Sequence, residues 1–293
     1  MAGALRSPKA PRYLEETIAR DLLPLVRQAL GDLYTVDREI GRGGAARVYL
    51  AHQADGTTVA LKILRPELLV SIAADRFLRE IGLIARLDHP NIGRLLTSGE
   101  RDWLVYYVMP YIEGPTLKQA LASGPLPVDR TIALARDLLL ALEHAHERHV
   151  IHRDVKPENI VCGTAGAVLL DFGIARAVAL SGSDRLTRSG VAVGTSHYMS
   201  PEQVGASDDI DHRTDIYSLG CVLFECLAGR PPFTHGNETT ILQMHRLQEA
   251  PDLLAIRPDL PPLLTRIVAR ALLKAKEDRW PTAGAMAEAL AAL

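Results

Sequence analysis

The chain has 293 residues, 47% of them hydrophobic, enough to fill a sizeable core and to set aside a disordered chain. With 33 Lys and Arg against 35 Asp and Glu, the formal net charge is −2, so no bulk charge draws the protein to nucleic acid or to an anionic membrane. Three cysteines, Cys162, Cys221 and Cys226, match neither a paired framework nor a zinc spacing and read as buried apolar residues in a reducing compartment. Met1 to Pro11 has no apolar run of the secretory kind. No stretch approaches the ~20 apolar residues of a spanning helix. The expectation is a soluble, cytoplasmic chain with no membrane contact of its own.

In chain order, Leu14, Ile18, Leu22, Val26 and Leu30 recur at helical spacing before Gly31. Pro24 divides this stretch into two short helices, with Asp21 capping the second and Pro24 in its first turn. Residues 1–33 therefore read as a helical extension. Tyr34 to Leu64 alternates apolar and polar residues in three runs, broken at Gly41-Arg42-Gly43-Gly44 and at Asp55-Gly56, which predicts an antiparallel sheet. Ile72 to Leu87 carries a helical pattern that stops before Asp88-His89-Pro90. Two further strands are expected at about Arg94–Ser98 and Trp103–Met109. Beyond Gly114, leucine- and alanine-rich patterns predict helices over Thr131–His146, Asp215–Leu227 and Leu263–Leu273.

Gly41, Gly43 and Gly44 stand between two predicted strands, at a hairpin tip. Without Cβ atoms there, backbone amides can close over a polyphosphate and positive φ becomes accessible, although glycines at a hairpin are ordinarily turn formers. In Val59-Ala60-Leu61-Lys62-Ile63, Lys62 lies within an apolar strand, where an uncompensated ammonium is expensive. It needs an anion, with Glu80 the best local candidate and phosphate oxygens the other ligand, unless its stem snorkels to solvent.

The decisive segment is His152-Arg153-Asp154-Val155-Lys156-Pro157-Glu158-Asn159, followed by Asp171-Phe172-Gly173. Together with the glycine-rich turn, the Val-Ala-x-Lys strand and Ser200-Pro201-Glu202, it resembles the signature set of the protein kinase family, in family order from Ile40 to Arg279. The style of Tyr198 to Gln203 is similar to bacterial (Hanks-type) serine/threonine kinases, often cytosolic domains of longer membrane proteins.

The resemblance implies an α+β, two-lobed protein kinase fold: a small antiparallel five-stranded N-lobe with one main helix over 34–113, and a larger, mostly helical C-lobe over 114–293. It implies ATP as cosubstrate with Mg2+, which Mn2+ could replace. Asp154 accepts or orients the hydroxyl proton of the acceptor, Asn159 and Asp171 hold the cation through oxygen, Lys156 neutralises the γ-phosphate, and the Lys62–Glu80 pair positions the phosphates. Lys156, two residues after Asp154, resembles the serine/threonine branch. Ile40, Val48 and Ala60 wall the adenine from one side and Val161 from the other. Met109 resembles the gatekeeper, and Pro110-Tyr111-Ile112 offers backbone groups to the purine edge.

Two departures stand out. Ala46 replaces the third glycine of the loop, which is costly if that position needs positive φ and harmless if it opens the second strand. Ser200 replaces an alanine. The segment from Asp171 to Glu202 resembles an activation segment, in which phosphate on Thr187 or Ser189 would pair with Arg153 and order a substrate platform. Thr195 is expected to bond Asp154 and Lys156. Asp215 resembles the buried anchor of the catalytic loop, Arg279 the partner of Glu202, and His152 a packing partner of Phe172 and Ile84. Partners are then protein substrates with Ser/Thr acceptors, and a dimer would allow autophosphorylation in trans. The rival reading, a pseudokinase scaffold, would ordinarily lack one of Lys62, Asp154 and Asp171, and all three are present.

Overall fold

Alternating side chains in the first third of the chain build a five-stranded antiparallel sheet in the order β1-β2-β3-β5-β4. The computed structural model describes residues 22–43, 46–64, 78, 81–82, 84–102, 104–172, 195–207 and 209–293. Helix α1 (Leu23–Leu30) precedes strands β1 (Thr35–Arg42), β2 (Ala46–His52), β3 (Thr58–Leu64), β4 (Thr97–Arg101) and β5 (Leu104–Pro110). Strand β4 starts three residues later than the sequence pattern implied, because the apolar Leu95 and Leu96 lie ahead of the ladder that pairs Thr97 with Val108. Of the helix expected over 72–87, Leu78, Ile81, Gly82 and Ile84 are helical and most of the remainder falls outside the described residues.

The register sorts the sheet into two faces, since directly opposed residues share a face. Tyr49, Leu61 and Val108 form one row, and Val48, Lys62 and Tyr107 form a row on the opposite face. The first face packs on α1: Leu22, Val26, Ala29 and Leu30 join Tyr49, Leu61, Ile63, Tyr106 and Val108 in one buried cluster. Each fully buried Val or Leu there is worth about 1.5–3 kcal/mol relative to exposure. Pro24 occupies the first turn of α1 as expected, but the N-cap is Leu22 with no side-chain cap. Asp21, the expected cap, and the earlier helix lie outside the described residues.

Among the described residues, the second compact unit comprises residues 87–93 and those from Ile112 onward, and the first comprises those up to Arg86 and 94–111. The second holds α2 (Leu117–Leu121), α3 (Val128–His146), the hairpin β6 (Ile160–Gly163) and β7 (Gly166–Leu169), α4 (Pro201–Val204), α5 (Arg213–Ala228), α6 (Glu238–Leu247), α7 (Leu253–Ile256), α8 (Pro262–Ala271) and α9 (Ala283–Leu290). Helix α5 is the axis of this unit: every residue from Thr214 to Leu227 is buried. A helix buried on all sides belongs in a core. It ends at Gly229, whose φ of 76° is the left-handed cap glycine favours. Where α8 crosses α5, a Cβ on Gly220 would lie 2.9 Å from that of Ala271, so only glycine permits the approach.

Candidate active site

The segment from Ile151 to Asn159 has no sheet or long helix to hold it, so its backbone needs other partners. Asp215, in the first turn of α5 and without solvent exposure, supplies them. Its Oδ2 accepts from the His152 amide and from His146 Nε2, each at 2.8 Å, and its Oδ1 accepts from the Arg153 amide at 2.8 Å. Burial opposes the charge of Asp215, but the hydrogen bond and charge of His146, reinforced by His152 and the Arg153 amide, hold its carboxyl below the ordinary range. Gln203 Nε2 donates to the Arg153 carbonyl at 2.8 Å, and Arg153 takes a left-handed φ of 67°.

His152 is a buried bracket. Its Nε2 donates to the Leu170 carbonyl at 2.7 Å, its Nδ1 accepts from the Asp154 amide at 3.1 Å, and its ring meets Phe172 edge-on at 4.6 Å. The packing on Phe172 is the one read from the sequence. These bonds turn the Asp154 carboxylate toward Lys156, whose Nζ lies 2.9 Å from Oδ1 and 2.8 Å from Oδ2. Asn159 Nδ2 donates to both the Asp154 carbonyl, at 2.8 Å, and Asp154 Oδ2, at 3.0 Å. With its NH2 so engaged, Asn159 is oriented to present its amide oxygen elsewhere. The Leu170 amide donates to the Asn159 carbonyl at 2.8 Å, and Ile160 pairs with Leu169. Asn159 and Asp171 thus leave the open end of one hairpin, with Asp171 at a left-handed φ of 65°. Val161, buried on β6, belongs to the same hairpin.

A second pinned point lies downstream. Arg279, 1% exposed, donates to both oxygens of Glu202, at 2.8 and 2.9 Å, the pairing expected from the sequence. It also donates to the carbonyls of Leu273 and Lys274 and lies over the Tyr217 ring. Burial pushes the Glu202 carboxyl up, but Arg279 and the Thr214 hydroxyl hold it below its ordinary value. Ser200 is more than a tolerated substitute: it forms a reciprocal capping box with Gln203 and meets the Thr214 hydroxyl at 2.5 Å.

In the sheet unit, Lys62 is 6% exposed, directly opposite Val48 and Tyr107, and its Nζ is 5.8 Å from the Tyr107 ring centroid. Ala60 lies opposite Leu50 and Met109 on the same face. Ile40 and Gly41 close β1, and the Gly43 amide donates to the Ala46 carbonyl at 2.8 Å, closing the hairpin. Gly41 and Gly43 do not use positive φ, contrary to that part of the sequence reading. A Cβ on either would meet only ordinary contacts, the nearest at 3.6 Å for Gly41 and 3.5 Å for Gly43. Ala46 opens β2 opposite Leu64 and is not among the positive-φ residues, so the alanine fits without strain. Pro110 ends β5, the exposed Tyr111 donates its amide to the Thr58 carbonyl at 3.3 Å, and Ile112 follows half-buried.

Glu80, Gly44, Thr187 and Ser189 lie outside the described residues, as does the side chain of Thr195. Sequence reasoning missed three partners: His146 on Asp215, Gln203 on Arg153, and the buried Glu225, whose carboxylate accepts from the Tyr198 hydroxyl at 2.5 Å. The spacing of His146 on α3 gave no warning, whereas the Ser-x-x-Gln pattern at 200–203 is a readable cap.

A five-stranded antiparallel sheet unit followed by a helical unit with a loop of this construction defines a class of protein. Residues 34–289 match the protein kinase domain family, to which the chain belongs. Among its relatives is the serine/threonine-protein kinase PknH of Mycobacterium tuberculosis, 38% identical over 258 residues, which cover 87% of this chain and 41% of PknH. PknB of the same organism is 39% identical over 269 residues, covering 88% of this chain and 42% of PknB. The crystal structure of the Mycobacterium tuberculosis PknI kinase domain superposes with a TM-score of 0.70 at 32% identity, covering 88% of this chain and 95% of that one. The alignments thus span about two fifths of the length of PknH and PknB. Among the described residues, no helix is long and apolar enough to cross a membrane.

Proposed function

We propose that this chain is an ATP-dependent serine/threonine protein kinase, transferring the γ-phosphate of ATP to Ser or Thr hydroxyls of protein substrates. The observation that carries the reading is the Asp154–Lys156–Asn159 cluster hung from the buried Asp215. Phosphoryl transfer asks mainly for positioning and charge neutralisation, because the transferred group carries its own reactivity. Asp154 orients the acceptor hydroxyl and takes its proton, and Lys156, already beside that carboxylate, faces the transferred phosphoryl oxygens.

The residues present fit a nucleotide with a hard divalent cation. Asn159 and Asp171 are oxygen donors at one hairpin end, and Asn159 has its NH2 turned away by Asp154. Magnesium, or manganese in its place, would neutralise phosphate charge when bound there. Lys62 binds phosphate oxygens, with Glu80 as its partner. Ile40, Gly41, Gly43, Gly44, Val48, Ala60, Met109, Tyr111, Ile112 and Val161 enclose the nucleotide. In this reading 34–113 is the N-lobe and 114–293 the C-lobe. Phosphate on Thr187 or Ser189, placed in trans by a second copy, activates the enzyme, which works in the cytoplasm alone or as part of a longer membrane protein.

The test is incubation with Mg2+, labelled ATP and generic protein acceptors, followed by phosphosite mapping. Label on Ser or Thr residues is the expected outcome. Label confined to tyrosine or to a small metabolite overturns the acceptor class, and none on any acceptor favours a nucleotide-binding scaffold.

A further inference from the structure

Helix α1 lies before the matched kinase domain, which begins at residue 34, yet its buried face completes the core of the sheet. Its polar face reaches β1 through Arg27. Arg27 Nε donates to the Val36 carbonyl at 2.9 Å, and Arg27 Nη2 donates to the Asp37 carbonyl. Those two carbonyls sit where β1 is irregular: Val36 pairs with Ala51 and Arg38 with Leu50, leaving Asp37 as the extra residue of a bulge. A bulge bends and twists its strand and disrupts the local ladder. Strand β1 is also an edge strand, with a neighbour on one side only. The end of β1 beyond the bulge carries Ile40 and Gly41, with Gly43 next. A two-pronged donor fixed on α1 thus holds the first of two irregular points of this strand, the second lying at Ile40 between Glu39 and Gly41.

We propose that Arg27 is a positioning residue for the nucleotide: by fixing the Val36–Asp37 bulge it sets the path of β1 and hence of the glycine-rich turn. The turn after α1 has a separate tie to the sheet, because the Asp32 carboxylate pairs with Arg101 of β4 at 2.7 Å. The loop between α1 and β1 is therefore held against the first and the last strand of the sheet order. The planar fork of Arg27 suits two neighbouring carbonyls, whereas a lysine would serve them as a single point. The inference rests on the reading of the glycine-rich turn as a phosphate-binding element.

The test compares Arg27→Ala, Arg27→Lys and Val26→Ala in the full chain. Val26→Ala weakens the same helix-to-sheet packing while leaving both Arg27 bonds in place. Two quantities are read: hydrogen exchange of the amides over 37–43, and the KM for Mg·ATP against kcat. The expected result for Arg27→Ala is several-fold faster exchange over that segment and a KM raised about fivefold, with kcat within about twofold of the parent. Arg27→Lys should recover part of both, and Val26→Ala should lower the thermal midpoint without moving KM. Equal effects of Arg27→Ala and Val26→Ala, or no change in exchange over 37–43, overturn the proposal. If the parent protein itself fails to use Mg·ATP, the kinase reading fails, and the exchange data alone still decide whether Arg27 holds β1.

Discussion

Lys62 and Asp154 are both charged residues, yet the molecule holds them by opposite means. Lys62 sits in the middle of β3, flanked by ladders to β2 and β5, so its backbone would keep its course with any side chain at that position. Asp154 lies in a loop whose amides are satisfied by a single buried carboxylate, Asp215, and by the ring of His152. A ladder distributes the constraint over many bonds. A buried anchor concentrates it in one residue, whose loss leaves several polar groups stranded.

The sharpest way to break the comparison is to remove each support. Asp215→Ala leaves the His152 and Arg153 amides and His146 without their acceptor and should cost about 3–5 kcal/mol, together with most of the transfer rate. Lys62→Ala should change stability by no more than about 1 kcal/mol while also depressing transfer. Denaturant midpoints of the two variants check this, and similar stability losses in both would erase the distinction.

A pH series sharpens it further, because the helical unit also buries a histidine among groups that oppose its charge. His245, without exposure, has its Nδ1 beside the Tyr217 hydroxyl at 2.9 Å with Lys274 nearby, and burial followed by that lysine's charge lowers its pKa to about 3. The unfolded chain takes up the proton at the ordinary value of 6.5. The stability contributed by neutral His245 is therefore complete above that value and lost progressively as pH falls from it toward about 3. His89 and His144, both lowered mainly by burial, act in the same sense, whereas Glu225, raised by burial, acts in the opposite one. Going from about pH 7.5 to about pH 5 should cost about 2 kcal/mol through His245 alone. Thermal unfolding of His245→Gln should show a correspondingly flatter pH profile. Ser200→Ala should cost about 1 kcal/mol through the lost cap on α4, read as a small shift in the denaturant midpoint.

The two regions also differed in how far the sequence revealed them. Period-two alternation placed β1, β2, β3 and β5 closely, since each strand buries one face against α1 and the pattern is local. It misplaced β4, where Leu95 and Leu96 are apolar but lie outside the ladder. The loop was legible for a different reason, its resemblance to a known signature. What joins it to the rest was only partly so: Asp215 and Arg279 could be read by resemblance, but His146, Gln203 and Glu225 act across 69, 50 and 27 positions of chain respectively, and no local period encodes such pairings. Arg27 escaped for the same reason, because the bulge it serves is a property of pairing register and leaves no mark on the composition of β1.

The most direct measurement is the separation of nucleotide binding from transfer in Asp154→Asn. If the sheet unit and the hairpin donors hold Mg·ATP while Asp154 handles the acceptor, the variant should bind Mg·ATP within about threefold of the parent and lose transfer by about 10²–10⁴-fold. Turnover close to that of the parent would contradict the role given to Asp154 and, with it, the account of why the loop is built around a buried anchor.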